Sequence, residues 1–290
     1  MVPGRGRAAG AHGGVDTGGV KDISLVVTDL DGTLWHTDDT VHPRTVAALR
    51  TLRRSGVPLL VATGRRASST RTPLARIGLA PVAIVLNGAL GLDLADGTRF
   101  HRAPFPNGDA ERVLAGFARA DLEPCVYVDD PEVEVYLGTR PSTNPGHQER
   151  LRPTARVVRD LASVCARLPV LAFGIIGIPH GRLAEAAAHL DTVAEVHLDR
   201  SLDHPGMASL TVAPRRQSKW DGVLAYCRRS GIDPGGVLAI GDGPNDVELL
   251  GNAAVSLVPA PAHPAALAHA DRVIASPLDG GWAEVLELIA

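Results

Sequence analysis

Two aspartates separated by one residue, Asp29 and Asp31, close the stretch I-S-L-V-V-T-D-L-D-G-T-L-W at residues 23–35. An apolar, β-branched run bounded by a turn reads as a buried strand that stops at two acids. Alternate side chains of an extended chain share a face. Both carboxylates can therefore reach the space beyond the strand's carboxyl end, where open α/β sheets hold their ligands. Two anions held together off a hydrophobic strand cost free energy unless a cation or a reaction uses them, and Mg2+ is the fitting cation. The same letters also suit a strand that simply ends in an Asp-Gly turn. What the rest of the chain brings to this edge decides between the two.

The helical pattern at 44–55 is followed by a second apolar run, V-P-L-L-V-A at 57–62, which ends at Thr63-Gly64-Arg65. Strand, helix and strand in that order imply a right-handed parallel crossover, which sets Thr63 at the same edge as Asp29. Its hydroxyl can donate to an anionic oxygen there, or serve only as a helix N-cap. A third strand at 82–86 ends in Asn87-Gly88, and a later one at 236–240 ends in G-D-G-P-N-D, with Asp242 and Asp246. Between them, R-R-Q-S-K opens a helix running to about residue 229. Lys219 sits in its first turn, where the helix dipole disfavours a cation and a nearby anion would remove the conflict. Further on come a helix at 247–250, a strand at 254–258 and a closing helix at 282–289.

Asp29, Asp31, Thr63, Lys219, Asp242 and Asp246, with main-chain amides at glycine turns, form a hard-cation site facing a polyanion, phosphate above all. One carboxylate can attack phosphorus to give an acyl phosphate, while a second protonates the leaving oxygen and then activates water. Magnesium, lysine and hydroxyl would neutralise charge on the transferring group.

The elements that must position these groups read as an α/β fold: a Rossmann-like parallel sheet core at 22–90 and 206–290, with an inserted α+β cap at 91–205. In the insert, Asp96-Gly97 marks a hairpin, 109–120 a helix, 125–128 and 132–137 a hairpin through Asp129-Asp130-Pro131, 170–178 a strand, 181–190 a helix and 193–198 a strand. Residues 138–153, with three prolines and few apolar residues, read as a mobile loop, and 209–212 as the first strand of the resumed core. The insert would decide substrate identity by closing over the phosphate. Arg102, Tyr127, Asp129, His147, Arg150 and His204 either take part in that or are ordinary solvated side chains.

The chain has 290 residues, 45% of them hydrophobic, and its 29 basic and 32 acidic side chains leave a formal charge of -3. With no basic run or basic-aromatic stripe, nucleic acid is not an expected partner. Cys125, Cys165 and Cys227 are widely spaced and lack any C-x-x-C pairing, which fits reduced cytoplasmic thiols and not a disulfide framework or a zinc site. Residues 1–21 lack an apolar core and read as a disordered tail, and no stretch is long and apolar enough to span a membrane. A monomer or a homodimer is expected. Among the basic side chains only Lys21 and Lys219 are lysine. Drift can explain a lone survivor in the folded body, and so can a need for a compact ammonium that arginine's planar fork cannot replace.

T-D-L-D-G-T-L at 28–34, A-T-G-R at 62–65, S-K at 218–219 and G-D-G-P-N-D at 241–246 together resemble, in order, the four motifs of the haloacid dehalogenase-like superfamily. The long insertion between the second and third motifs is similar to the larger type-2 cap of its Cof-type branch, which includes sugar-phosphate phosphatases. The resemblance spans roughly residues 23–290. It implies that Asp29 is the nucleophile and Asp31 the general acid and base. Thr63, Gly64 and Lys219 would bind phosphoryl oxygens. Mg2+ would be held by the carboxylates of Asp29 and Asp242 and the carbonyl of Asp31, with Asn245 and Asp246 in the supporting acidic motif. Asn87 would lie close to the substrate, and Arg65 would touch the leaving group or pair with a surface acid. A second acid at Asp31 argues against dehalogenation. The implied activity is Mg2+-dependent hydrolysis of a small phosphorylated metabolite, a sugar phosphate in particular. A phosphomutase or other phosphotransferase, and an idle sensor of a phosphorylated ligand, stand as alternatives. The chain departs from the Cof-type glycine-asparagine-alanine run, carrying V-P-A-P-A-H-P at 258–264 instead.

Overall fold

The fold is that of a computed structural model describing residues 22–36, 38–130, 132–140, 145–200 and 206–289. The expected tail at 1–21 and His204 lie outside the described residues, as does the side chain of His147.

Fourteen strands occur among the described residues, numbered here in chain order. They are β1 Leu25–Thr28, β2 Leu59–Ala62, β3 Val82–Val85, β4 Leu90–Asp93, β5 Arg99–Arg102, β6 Cys125–Val128, β7 Val135–Leu137, β8 Ala155–Val157, β9 Val170–Ile178, β10 Glu195–Arg200, β11 Ala208–Ala213, β12 Val237–Ile240, β13 Val255–Pro259 and β14 Arg272–Ile274. One sheet has the order β14-β13-β12-β1-β2-β3-β4-β5 and the other β10-β11-β9-β6-β7-β8. From β14 to β3 the first sheet is parallel, and β4 and β5 continue it antiparallel.

Parallel strands covered by helices on both faces must be apolar throughout, which is why β1 and β12 read as unbroken hydrophobic runs. The alternation of their side chains divides the core. Val26, Val61, Ala83 and Leu238 point into one apolar cluster, and Leu25, Val27, Leu60, Ile84 and Ala239 into the other. The cap has its own core, in which Val126, Phe173, Leu210 and Val212 of its sheet meet Val113 and Phe117 of the helix Asp109–Arg119 and Leu183 of the helix His180–Leu190. The opposite face of the same sheet turns Cys125, Tyr127, Leu171 and Ala172 toward the parallel domain. All three cysteines are free and buried, and no helix among the described residues is long and apolar enough to cross a membrane.

Hydrogen bonding shifts the expected boundaries of the insert at both ends. The hairpin β4–β5, expected in the cap, extends the core sheet, because Val82–Val85 pairs with Leu90–Asp93 directly across the turn at Asn87-Gly88. Conversely β11, expected to reopen the core, is a central strand of the cap sheet between β10 and β9. Its letters alternate, with Leu210 and Val212 buried on one face and Ser209 and Thr211 half-buried on the other, the pattern of an antiparallel strand covered mainly on one side. Residues 145–151, expected within a mobile loop, form the helix Pro145–Leu151, whose Leu151 is buried at 2% exposure and anchors it. The expected closing helix is a 3₁₀ segment, Gly281–Leu288. Of the polar cap residues, Tyr127 is buried, while Asp129 is paired with Arg99 and Arg102 and so is not a solvated side chain.

Phe173 is fully buried and meets the rings of Phe105 and Phe117. Phe173→Ala is expected to cost about 3–5 kcal/mol, read as a lower denaturation midpoint.

Candidate active site

The parallel strands β1, β2 and β12 end at one edge and deliver their following residues there. The Asp29 amide still bonds to the carbonyl of Ile240 at 2.9 Å, so the strand pairing carries straight into the site. The Thr28 hydroxyl donates to the carbonyl of Asp29 at 2.7 Å and accepts from the indole of Trp282 at 3.0 Å, pinning the backbone from behind. Gly32 turns the chain at φ +77°, and a Cβ there would fall 2.2 Å from Oδ2 of Asp242. Only glycine allows the two acid-bearing loops to close on each other. Thr33 then donates to Oδ1 of Asp242 at 2.7 Å.

At the centre lies Lys219, whose side chain is wholly excluded from solvent. Its ammonium donates to Oδ1 of Asp29 at 2.8 Å and to Oδ1 of Asp246 at 2.7 Å. Ser218 begins its helix with a reciprocal capping box to Asp221. The unfavourable position of a cation in the first helical turn is thus offset by two carboxylates. Asp246 commits its other oxygen to the amides of Asp242 and Gly243 at 3.1 and 3.0 Å. The unusual V-P-A-P-A-H-P segment supports the same loop, since the His263 amide donates to the carbonyl of Asp242 at 2.9 Å.

Thr63, 1% exposed, accepts from the Arg65 amide at 3.1 Å through its hydroxyl, leaving the hydroxyl hydrogen for an anionic partner. It is not a helix cap, because the following helix, Ala67–Arg76, has Arg66 at its N-cap position. Gly64 lies against the side-chain amide of Asn87. Asn87, with φ 54°, accepts at its Oδ1 from the side-chain Nδ2 of Asn245 at 3.0 Å, and this contact ties the third strand's tip to the G-D-G-P-N-D loop. Gly88 is equally constrained: φ is +106°, and a Cβ would lie 2.0 Å from the carbonyl oxygen of Ser218. The side-chain amide of Gln217 donates to the Gly88 carbonyl at 2.8 Å.

Asp31 stands apart from this knot. Its Oδ2 accepts from Nε of Arg65 at 2.6 Å, and its Oδ1 from Arg65 Nη2 and, at 3.0 Å, from the indole of Trp35. Arg65 also pairs with Asp39 at 2.6 Å and lies 5.0 Å from the centroid of the Trp35 ring. Arg65 thus bridges Asp31 and Asp39.

Asp29, Asp242 and Asp246 each offer an oxygen within 4.8 Å of the others. Two buried carboxylates and the half-buried Asp242 gather around one ammonium, and this surplus of hard oxygen donors fits a divalent cation such as Mg2+. Burial, then the neighbouring Asp246, pushes Asp242 up to about 6 despite the opposing hydrogen bond from Thr33. Asp29 is raised well above the usual carboxylate range, again by burial first, with Lys219 opposing and the other carboxylates adding to the rise. Burial alone would lower Lys219, but Asp246 and Asp29 outweigh it and hold the ammonium above its ordinary value.

The structure therefore brings together Asp29, Lys219, Asp242 and Asp246, with Thr63, Gly64, Asn87 and Asn245 beside them and Asp31 held by Arg65. Sequence reasoning missed Thr33, Trp35, Asp39, Gln217 and Trp282. Thr33 follows directly on the Asp-Gly turn and was within reach of a local argument; Trp282, 254 residues from its partner, was not.

A profile of the haloacid dehalogenase-like hydrolases matches residues 26–286. A hydrolase of Schizosaccharomyces pombe, C215.10, is 30% identical over 288 residues, covering 93% of this chain and 91% of its own length. Phosphoglycolate phosphatase of Methanopyrus kandleri is 28% identical over 237 residues, 82% of this chain and 84% of that protein. Among solved structures, TM0651 from Thermotoga maritima superposes with a TM-score of 0.75 at 21% identity, covering 92% of this chain and 98% of that one. A Rossmann-like parallel sheet with an inserted cap and an acid-rich edge is the class that fold and site define. The chain belongs to the haloacid dehalogenase-like hydrolase family.

Raised acids bind protons in the folded chain that the unfolded chain has already released. The metal-free protein therefore loses stability as pH rises from the ordinary aspartate value toward about 6, the position of Asp242. A metal ion must displace those protons, so about 10 mM Mg2+ is expected to raise the melting temperature more at about pH 7.5 than at about pH 5. Equal shifts at both, by scanning calorimetry, would mean that these carboxylates do not hold the ion.

Proposed function

We propose that the protein is a Mg2+-dependent phosphatase that hydrolyses the monoester of a small metabolite, a sugar phosphate or a molecule of similar size, through an aspartyl-phosphate on Asp29. The observation that carries this reading is the Asp29 carboxylate held by a fully buried ammonium at a sheet edge, with Asp242 beside it and Asp31 two residues on. Two curated relatives bear phosphatase names in agreement: the phosphoglycolate phosphatase above and the pyridoxal phosphate phosphatase YbhA of Escherichia coli, 25% identical over 257 residues.

In this reading an oxygen of Asp29 attacks phosphorus, the ester P–O bond breaks, and Asp31 gives its proton to the departing oxygen. Water then attacks the acyl phosphate while Asp31 takes its proton, releasing inorganic phosphate and restoring the Asp29 carboxylate. Both oxygens of Asp31 accept from Arg65. One of them has to leave the guanidinium before it can carry a proton. Lys219 fixes the attacking carboxylate and neutralises charge on the phosphoryl group, while the free hydroxyl hydrogen of Thr63 and the amides around Gly64 receive its other oxygens. Asp29, Asp242 and Asp246 would hold Mg2+, which would supply neutralisation of charge on the transferring phosphoryl group. A cavity of about 280 Å3 adjoins this edge, lined by Asn87, Gln217 and Ser218 of the core and by Glu195 and His197 of the cap. The cap would set specificity.

Phosphate release from a panel of sugar phosphates and an aryl phosphate tests the reading. Asp29→Asn is expected to lose at least about a thousandfold in kcat, and Asp31→Asn about a hundredfold or more. Wild-type activity should vanish on chelation of the metal. Release of nothing, combined with tight binding of a phosphorylated ligand, would replace the enzyme with a sensor. Transfer to a sugar hydroxyl in place of water would make it a phosphotransferase.

A further inference from the structure

The helix Ala67–Arg76 begins immediately after Thr63-Gly64-Arg65, yet its own sequence does not finish its amino end. Arg66 occupies the N-cap position without a side-chain capping bond, and no acid lies in the first turn. Unsatisfied amides and two adjacent arginines at the positive end of a helix dipole are an unfavourable combination. The missing carboxylate comes from the inserted cap. Glu134, the residue before β7, accepts from the Ser68 amide at 3.0 Å through Oε1. Its Oε2 accepts from the Ser68 hydroxyl at 2.5 Å and from Nη1 of Arg66 at 2.8 Å. Arg66 also donates to the hydroxyl of Thr154, again from the cap, at 2.9 Å. At the other end of the same β6–β7 connection, Asp129 pairs with Arg99 and, at 2.6 Å, with Arg102 of the core hairpin.

We propose that Glu134 is a positioning residue for the phosphate-binding loop. Carried by the cap, it completes the first turn of the helix that anchors Thr63-Gly64-Arg65, so seating of the cap and ordering of that loop form one equilibrium. The proposal rests on the reading that this loop receives the phosphoryl group. Coupling of this kind is reciprocal: a phosphate that orders the loop tightens the cap contact, and loss of the contact weakens phosphate binding by the same factor.

Hydrogen exchange on the full chain with Mg2+ and inorganic phosphate, paired with calorimetric titration of phosphate, tests this. In the wild type, phosphate should slow exchange at Glu134 and Val135 in the cap. In Glu134→Ala that response should disappear and phosphate affinity should fall about tenfold. Adding Arg66→Ser to Glu134→Ala gives the helix a cap of its own. This double variant should regain the wild-type melting temperature, slow exchange at 68–70 and the phosphate affinity, because the turn is completed without the cap, but not the response in the cap. A double variant that is stable and slow in exchange at 68–70 yet still binds phosphate weakly, or one whose cap still responds to phosphate, would overturn the proposal. Wild-type phosphate affinity in Glu134→Ala would do the same. A wild type that binds no phosphate would strike the functional reading itself, an outcome distinct from both.

Discussion

Two carboxylates, Asp29 and Asp246, enclose one ammonium where water is almost excluded, with the half-buried Asp242 beside them, and this imbalance governs the molecule. Asp29 is 6% exposed, Asp246 is fully buried and the Lys219 side chain has no access to solvent. Such charges repel one another strongly unless each oxygen has a donor or a cation. The surrounding backbone is shaped to supply donors: two amides for Asp246, a threonine hydroxyl for Asp242, and a glycine at 32 that lets the loops approach. Arginine could not replace Lys219 here, since its planar fork needs more room than a fully enclosed ammonium between two carboxylates leaves. The survival of one lysine in an arginine-rich body thereby has a physical reason.

Much of this was legible because the chemistry is written at strand ends. Unbroken apolar runs can only be strands buried on both faces, and the crossover rule then sets their tips at one edge. Asp29, Thr63, Asp242 and Asp246 follow from that logic, and Lys219 from its place in the first turn of a helix, where a cation calls for a nearby anion. The sheet to which a strand belongs did not follow. β4 and β5 read as the start of the insert, and β11 as the return of the core, because a local pattern records burial and not the partner that provides it. The acids that pair with Arg65 were equally hidden, since nothing local in A-T-G-R shows that Asp31 and Asp39 lie within its reach.

The cap is joined to the core through two kinds of contact. Tyr127, Leu171 and Ala172 give its sheet a second apolar face, so it buries surface on both sides. Asp129 and Glu134 hold the β6–β7 connection to two separate elements of the core. Apolar contact is non-directional and tolerates sliding, whereas paired carboxylates define one seated position. That division lets one surface supply adhesion and the other supply register.

The indole of Trp282 behind Thr28 has a consequence for how the protein comes into being. Residues near the amino end leave the ribosome early, but the backbone of Asp29 is braced by a side chain made 254 positions after Thr28. The acid loop that holds Asp242 likewise arrives only after the whole insert has been translated. The nascent chain thus carries its charged residues for most of synthesis without the partners that neutralise them. The centre is complete only once the turn that carries Trp282 has folded back onto the first strand.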